Sequence, residues 1–543
     1  MKNLIYIIGM LFLAAACYDD KGNYDYSEIN EISVELPESY GLRLTDTTLV
    51  IRPVISQSLR EKYEHLHFMW LCSKSSYATI PRGDTLSYAD TVAIKIDPDA
   101  EKVDYNYYLR LNIYDEENEI LHPYQTRVQI TKPYQGAWMV LHEQDGETRL
   151  GAVERLGEHI QVSPDVYYPA TGKKLKGKPQ LLACHDYASA SYLGSIEPVG
   201  YPSWGYNVFM LVTDDPEESG VYNYLDNFHQ WNTLENMVAP KYRSVFDYQN
   251  VSLLEGEQFY TICLSNGILY QGYGLKLYKI PVADEVSGDM YISCGSKCDV
   301  APVFYDKVGR RFLYYYAAGN NNNGSTSPDV FPEEKENTQK LSPIPIRADN
   351  VQYGVIDPNH IPENQEVLYI GTGYKYDPTS GRALKCYAFA KGTGNKSYVY
   401  EFGTWGLWSS RDKALSGYYE IETPAGIDEN TCFASSIVYN GVLFYASGNK
   451  VYRLDFIQAG GAATVIYSHN GGVASAMKFA RKDVSNGEYP EYIYDVNRQL
   501  GIVFKKSDGT SDFVVLDLTI AGKPEHIQEY KGQFGNIKDV VFL

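Results

Sequence analysis

Asn266–Ile280 reads NGILYQGYGLKLYKI, and Asn440–Leu454 reads NGVLFYASGNKVYRL. The two stretches align without a gap. Each has Asn-Gly, two aliphatic residues, an aromatic, a glycine eight residues after the asparagine, and then a tyrosine set between aliphatic and basic side chains. Asn-Gly suits a tight turn that needs positive φ. The unit therefore predicts a strand hairpin that turns again at Gly274 or Gly448 and carries Tyr278 or Tyr452 to one face. The copies lie 174 residues apart, which divides into three units of about 58 or four of about 44, both in the range of propeller blades.

Weaker relatives of the hairpin recur around this pair. Trp138–Val153 has strand-like runs about Asp145-Gly146, and Asp306–Tyr316 turns at Val308-Gly309. Glu366–Phe389 is broken at Asp377–Gly381, and Leu500–Leu518 at Ser507-Asp508-Gly509. A single small sheet cannot bury both of its faces, so neighbours must cover it. The region from 133 to 543 divides into seven blades of about 58 residues or eight of about 51. Seven is favoured, with two stacked sandwiches as the alternative. The apolar end Ile537–Leu543 is suited to complete the first blade and close a ring. Helical periodicity is nearly absent, and only the short segments Leu59–Leu66 and Leu225–Met237 fit a helix.

Residues 27–132 read as a separate unit. Strand candidates are Leu49–Val54, His67–Cys72, Thr91–Ile96, Tyr105–Tyr114 and Gln125–Ile130, with an acidic turn at Asp115–Glu119. About 100 residues of such strands, with Trp70 suited to a core, predict an immunoglobulin-like sandwich. The expected fold class is all-β, a sandwich followed by a propeller.

Composition limits the function. The net charge is −20 and no basic block occurs. This excludes nucleic acid, whose affinity depends on Lys and Arg at phosphates, and electrostatic attachment to an anionic membrane. Tyrosine occurs 50 times against 19 Phe and 6 Trp. Most are expected in strands, half buried with a wet hydroxyl, and a minority as stacking platforms. Cys294 and Cys298 in CGSKC are the one close cysteine pair, without the further Cys or His that a zinc site needs. A local disulfide and inert strand thiols remain the two readings.

The N-terminus decides location. Met1–Ala16 has Lys2, an apolar run from Leu4 to Leu13 and small residues before Cys17, the pattern of a cleaved secretory signal. The run is too short to span a bilayer, which takes about 20 residues. Cys17 after Ala14-Ala15-Ala16 resembles the lipobox of bacterial lipoproteins, where the cysteine becomes the first mature residue and carries the lipid. Asp19 and Asp20 just behind it resemble the surface-export signal of Bacteroidetes lipoproteins. Residues 17–26 then form the lipidated cysteine and its tether, with no calcium-loop spacing among the acids. The start CYDDKGNYDYSEINEI, the unit after it and the run GAWMVLHEQDG together resemble the PKD-like lipoproteins of Bacteroidetes. That resemblance implies an outer-membrane protein facing the cell exterior, accessory to a SusC/SusD-type TonB-dependent importer. It transfers no catalytic residue.

Enzyme motifs are missing. There is no HExxH, no G-x-S-x-G elbow, no P-loop and no dinucleotide fingerprint. His142-Glu143 begins like a zincin, but no second His follows at the required spacing. No catalytic residue, metal or cofactor is predicted. Paired carboxylates for glycoside hydrolysis depend on spatial separation, which leaves a surface hydrolase or lyase as one alternative. The favoured reading is capture of an oligosaccharide or peptide. The candidate ligand-binding residues are Trp204 in YPSWGYN, Trp231 in FHQWNT, and Trp405 and Trp408 in GTWGLWSS. Each sits among loop-forming residues, and each has blade-core packing as its alternative role. The polar stretch Gly319–Pro345 reads as a flexible loop, a lid or an importer contact. A structural adaptor that docks on the importer without a ligand of its own is the remaining alternative.

Overall fold

The computed structural model describes residues 30–43, 48–60, 62–74, 77, 83–95, 106–131, 133–134, 136–185, 208–225, 227–254, 261–273, 276–296, 301–315, 340–346, 356–374, 385–403, 407, 414–458, 460–481 and 495–543. The chain divides into two compact units, 1–131 and 132–543.

The first unit is a β-sandwich. One sheet has the strand order Ser39–Arg43, Ile120–Thr131, Asn106–Asp115, Leu66–Ser73, Asp84–Ser87. Its first strand runs parallel to Ile120–Thr131 and the other pairings are antiparallel. Two ribbons, Ile32–Glu35 with Val54–Gln57 and Thr48–Ile51 with Val92–Lys95, share its core. Trp70 is fully buried there among Leu109, Leu111 and Ile130. The run Leu49–Val54 forms two strands rather than one. It breaks at Arg52-Pro53, because proline cannot donate to a ladder. The described residues of Leu59–Leu66 form no helix. Arg60, Lys62 and Glu64 leave it without an apolar stripe, and Arg60 pairs instead with Glu117 of the acidic turn.

The second unit is a seven-bladed β-propeller. Seven four-stranded antiparallel sheets follow one another. Six use consecutive strands, beginning with Pro179–His185, Val251–Leu254, Ile292–Ser296, Gln365–Thr372, Cys432–Ala434 and Gly472–Phe479, which open blades 2 to 7. Blade 1 combines Trp138–Gln144, Glu147–Leu156 and His159–Ser163 with the C-terminal strand Asn536–Phe542. The strand at the chain's end therefore closes the ring, as its apolar sequence suggests. Asn536–Phe542 touches the first strands of blades 2 and 7, and the first strands of blades 4 and 5, and of 6 and 7, touch one another. These strands line the axis.

Apolar clusters fill the interfaces between blades. Along Trp138–Gln144 the side chains alternate. Trp138 and Val140 join the cluster with blade 7, while Met139 and Leu141 join that with blade 2. In blade 6, Phe444 and Ala446 pack toward blade 7, and Leu443 and Tyr445 toward blade 5. Both faces of these strands are buried, which is why they read as continuous apolar runs rather than as an apolar–polar alternation. Tyrosine suits such interfaces because its ring packs while its hydroxyl finds a partner. Tyr400 Oη donates to Gln365 Oε1 at 2.6 Å, and Tyr439 Oη to the Thr519 carbonyl at 2.9 Å.

The repeated NG hairpin has a different place in its two copies. Asn266-Gly267, both at positive φ, is a two-residue turn between the second and third strands of blade 3. Asn440-Gly441 ends the connection between the first and second strands of blade 6. The copies sit three blades apart but one strand out of phase, so the hairpins are not equivalent. The sharp turn of blade 6 falls at Gly448-Asn449 instead. Asn440-Gly441 latches onto blade 5. Lys385 Nζ donates to Asn440 Oδ1 at 3.1 Å, and Gly441 N to Tyr387 Oη at 3.2 Å. In Leu225–Met237 the expected helix shrinks to one turn, Leu234–Met237, capped by Thr233 after the strand His229–Thr233.

His142 serves this packing. Its Nε2 donates to the Pro164 carbonyl at 2.7 Å and its Nδ1 accepts from Gly535 N at 3.1 Å, which fixes a neutral tautomer. Burial holds the imidazole below its ordinary value of 6.5. The unfolded chain binds this proton more readily than the folded one. The contribution of His142 is therefore present above the unfolded value and is lost as pH falls through it toward the folded value. Thermal melts of the wild type should fall between pH 7.5 and 5. His142→Gln should cost about 1–2 kcal/mol at neutral pH and show a flatter dependence over that window. An unchanged slope in the variant would show that His142 does not set this pH dependence.

Candidate functional site

A cavity of about 250 Å³ opens where the first strands of blades 4 to 7 end. It is lined by Ser296 of blade 4, Tyr369 and Thr372 of blade 5, Phe433 and Ser435 of blade 6, and Arg481 just after the first strand of blade 7, among others. The first strands run the same way about the axis, so each brings its C-terminal residues to this end.

Hydroxyl groups tie the wall together. Ser435 Oγ donates to the Thr372 carbonyl at 2.6 Å. With that proton committed, Tyr369 Oη is the donor in its 2.9 Å bond to Ser435 Oγ. Ser296 Oγ and Thr372 Oγ1 lie 3.2 Å apart, joining blades 4 and 5. Ser436 Oγ donates to the Asn497 carbonyl at 2.6 Å, joining blades 6 and 7. Tyr369 stacks on Phe433, with ring centroids 5.5 Å apart and planes at 18°. Gly371 makes room for this arrangement. A side chain there would fall on Tyr369 Oη and Ser435 Oγ.

Lys478 also lines the cavity and bounds it toward blades 1 and 2. Its Nζ donates to Asp539 Oδ2 at 2.8 Å and to the Leu182 carbonyl at 3.1 Å. Leu182 N donates to the same Asp539 oxygen at 2.9 Å. One ammonium thus joins the first strand of blade 7 to the axial strand Asn536–Phe542 of blade 1 and the first strand of blade 2. No Asp or Glu is among the described lining residues. Among the described residues there is also no cluster of three His, Cys, Asp or Glu placed to hold a metal.

The residues singled out in the sequence lie elsewhere. Trp231 is on the last strand of blade 2, half buried against the core shared by blades 2 and 3, where it packs rather than facing the cavity. Trp204, Trp405, Trp408, Cys17, Asp19 and Asp20 lie outside the described residues. Leu407, between the two tryptophans of GTWGLWSS, is buried in the core of blades 4 and 5. Most of Gly319–Pro345 lies outside the described residues as well, and its end contributes the short strand Ser342–Pro343. Cys294 is a free thiol, and Cys298 is not among the described residues. The sequence reading missed Tyr369, Phe433, Ser435, Lys478 and Arg481. Their local signal is faint: small and hydroxyl residues, such as GT in YIGTG and SS in CFASS, at the ends of strands.

Residues 17–179 match the PKD-like family. The match spans the sandwich and continues through the first three strands of blade 1 to the first residue of blade 2. No curated protein matches the chain. Among solved structures, a quinonprotein alcohol dehydrogenase-like protein from Bacteroides thetaiotaomicron is similar at 12% identity, over 93% of this chain and 96% of that one, with a TM-score of 0.43. Apo AztD from Citrobacter koseri is similar at 8% identity, over 75% and 97% of the two chains, with a TM-score of 0.37. YCF48 from Cyanidioschyzon merolae is similar at 10% identity, over 67% and 95%, with a TM-score of 0.36.

Proposed function

We propose that this chain is a cell-surface lipoprotein, anchored in the outer membrane through Cys17, that captures an oligomeric nutrient for a SusC/SusD-type importer. The observation that carries the capture reading is the cavity at the strand ends of blades 4 to 7. It combines a stacked aromatic pair, a fixed set of hydroxyls and two cations, the mixture of apolar wall and few placed polar groups that binding sites use. Among its described lining residues there is no carboxylate pair of the kind glycoside hydrolysis uses, and the aromatic pair with its hydroxyls supports binding. The signal-like start, Cys17, and the acids Asp19 and Asp20 support the location. The similarity of residues 17–179 to the PKD-like family supports the accessory role.

Calorimetry of the purified chain against oligosaccharides and casein-derived peptides tests this reading. Binding is expected in the range of about micromolar to millimolar, because association entropy offsets much of the contact energy. Gly371→Ala displaces the Tyr369 and Ser435 hydroxyls and should weaken binding about tenfold or more while leaving the melting temperature within a few degrees. If Trp405→Ala and Trp408→Ala remove binding and Gly371→Ala does not, the ligand sits on that loop and not in the cavity. No binding by the wild type, together with a stable complex with the importer, would replace capture by the adaptor role.

A further inference from the structure

We infer that the cavity takes a carboxylate-bearing sugar ring, such as a uronic acid of an acidic glycan, with the Arg481 guanidinium holding the carboxylate. This rests on the capture reading and adds the chemistry of the ligand. The chain as a whole carries a net charge of −20, yet the cavity is cationic. Lys478 and Arg481 line it, and no Asp or Glu is among its described lining residues. Lys478 is engaged with Asp539 of the adjoining blade 1. Arg481 is half buried and forms no ion pair among the described residues. A guanidinium in such a place is a bidentate partner for a planar carboxylate and is more weakly hydrated than an ammonium. A guanidinium charge in a concave, low-dielectric wall attracts an anion that the rest of the surface repels.

The remaining lining favours a sugar over an acidic side chain. The volume of about 250 Å³ lies below the ~300–1,000 Å³ of drug-sized pockets, which suits one ring. A pyranose presents an apolar face and an edge of hydroxyls. The cavity presents the Tyr369–Phe433 pair beside the Ser296, Thr372 and Ser435 hydroxyls. An aspartate or glutamate side chain would use the cation and leave both of these without a match.

The test compares trigalacturonate, galactotriose and a hexaglutamate peptide by calorimetry on the purified full chain, at low and at 0.5 M salt. Trigalacturonate should bind at least tenfold more tightly than galactotriose, and the difference should shrink in high salt. Arg481→Gln should abolish that preference, with a loss of about 10- to 100-fold for the acidic sugar and no change for the neutral one. Arg481→Lys should retain part of it. The melting temperature of both variants should match the wild type, since Arg481 supports no ion pair among the described residues. Equal binding of acidic and neutral sugars would overturn the charge assignment and leave capture standing. Tighter binding of hexaglutamate would overturn the sugar assignment. Absence of binding by all three would overturn this inference, while the wider oligosaccharide and peptide panel decides capture separately.

Discussion

Removing residues 536–543 should unfold the propeller. These residues form the axial strand of blade 1 and pair along Trp138–Gln144. Ile537, Val540, Val541 and Phe542 are buried, some toward blade 7 and some toward blade 2. Burying four such side chains contributes about 6–12 kcal/mol at roughly 1.5–3 kcal/mol each. That is comparable to the ~5–15 kcal/mol by which a whole domain is stable. The deletion also exposes an apolar edge strand, a template for aggregation. Trp138 loses its edge-to-face contact with Phe542 and keeps only that with Phe513. The truncated chain is expected to elute as aggregate and to lose its near-ultraviolet dichroism from packed tyrosines. A soluble truncated monomer melting at the wild-type temperature would show that the ring does not depend on this closure.

Lys478→Met should be the most damaging single substitution near the cavity. The methionine fills the volume but removes the Lys478 ammonium from Asp539, and Asp539 is mostly buried. Two backbone donors, Leu182 N and Val540 N, remain on its carboxylate. Removing one partner of a largely buried pair costs about 3–5 kcal/mol, because the other charge stays desolvated. The lower end applies here, since part of Lys478 reaches solvent. Replacing both partners, as in Lys478→Met with Asp539→Asn, should recover a good part of the loss, and the coupling appears directly in a double-mutant cycle. Denaturant melts of the four proteins measure it. Additive costs would mean that the pair does not work as a unit between blades 7 and 1.

Much of the fold was legible because its strongest signals are local. Asp145-Gly146 and Asn266-Gly267 have the residues that a positive-φ turn demands, and both are turns. The apolar end of the chain had no reason to be exposed, and it closes blade 1. Trp70 had the setting of a sandwich core and is fully buried in one. The phase of the repeated hairpin was not legible. Asn-Gly serves equally as a two-residue turn and as the end of a longer connection, and only the partner strand distinguishes them. In blade 6 that distinction depends on Tyr387 and Lys385, more than fifty residues earlier in the chain.

The cavity was illegible for a related reason. Its residues come from strands of four blades, between Gly295 and Asn497, and no spacing in one dimension relates them. Tryptophans in loops drew attention because they are conspicuous in sequence. Trp231 shows the weakness of that cue, since glutamine, asparagine and threonine beside it belong to an outer strand. Tyr369 was hidden among many tyrosines of similar setting. What sets it apart is Gly371, two residues on and on the same face, and a glycine–tyrosine pair at that spacing also occurs at Gly417 and Tyr419, which are not among the residues lining this cavity.

Hydrogen exchange with and without trigalacturonate shows whether ligand enters the cavity at the strand ends of blades 4 to 7. Amides near the cavity open by local fluctuation, and bound ligand suppresses that opening. Slower exchange confined to residues 369–372, 432–437 and 477–481 is the expected result. Slower exchange only in the segments containing Trp204, Trp405 and Trp408, or only in the sandwich, with these three stretches unchanged, would contradict it.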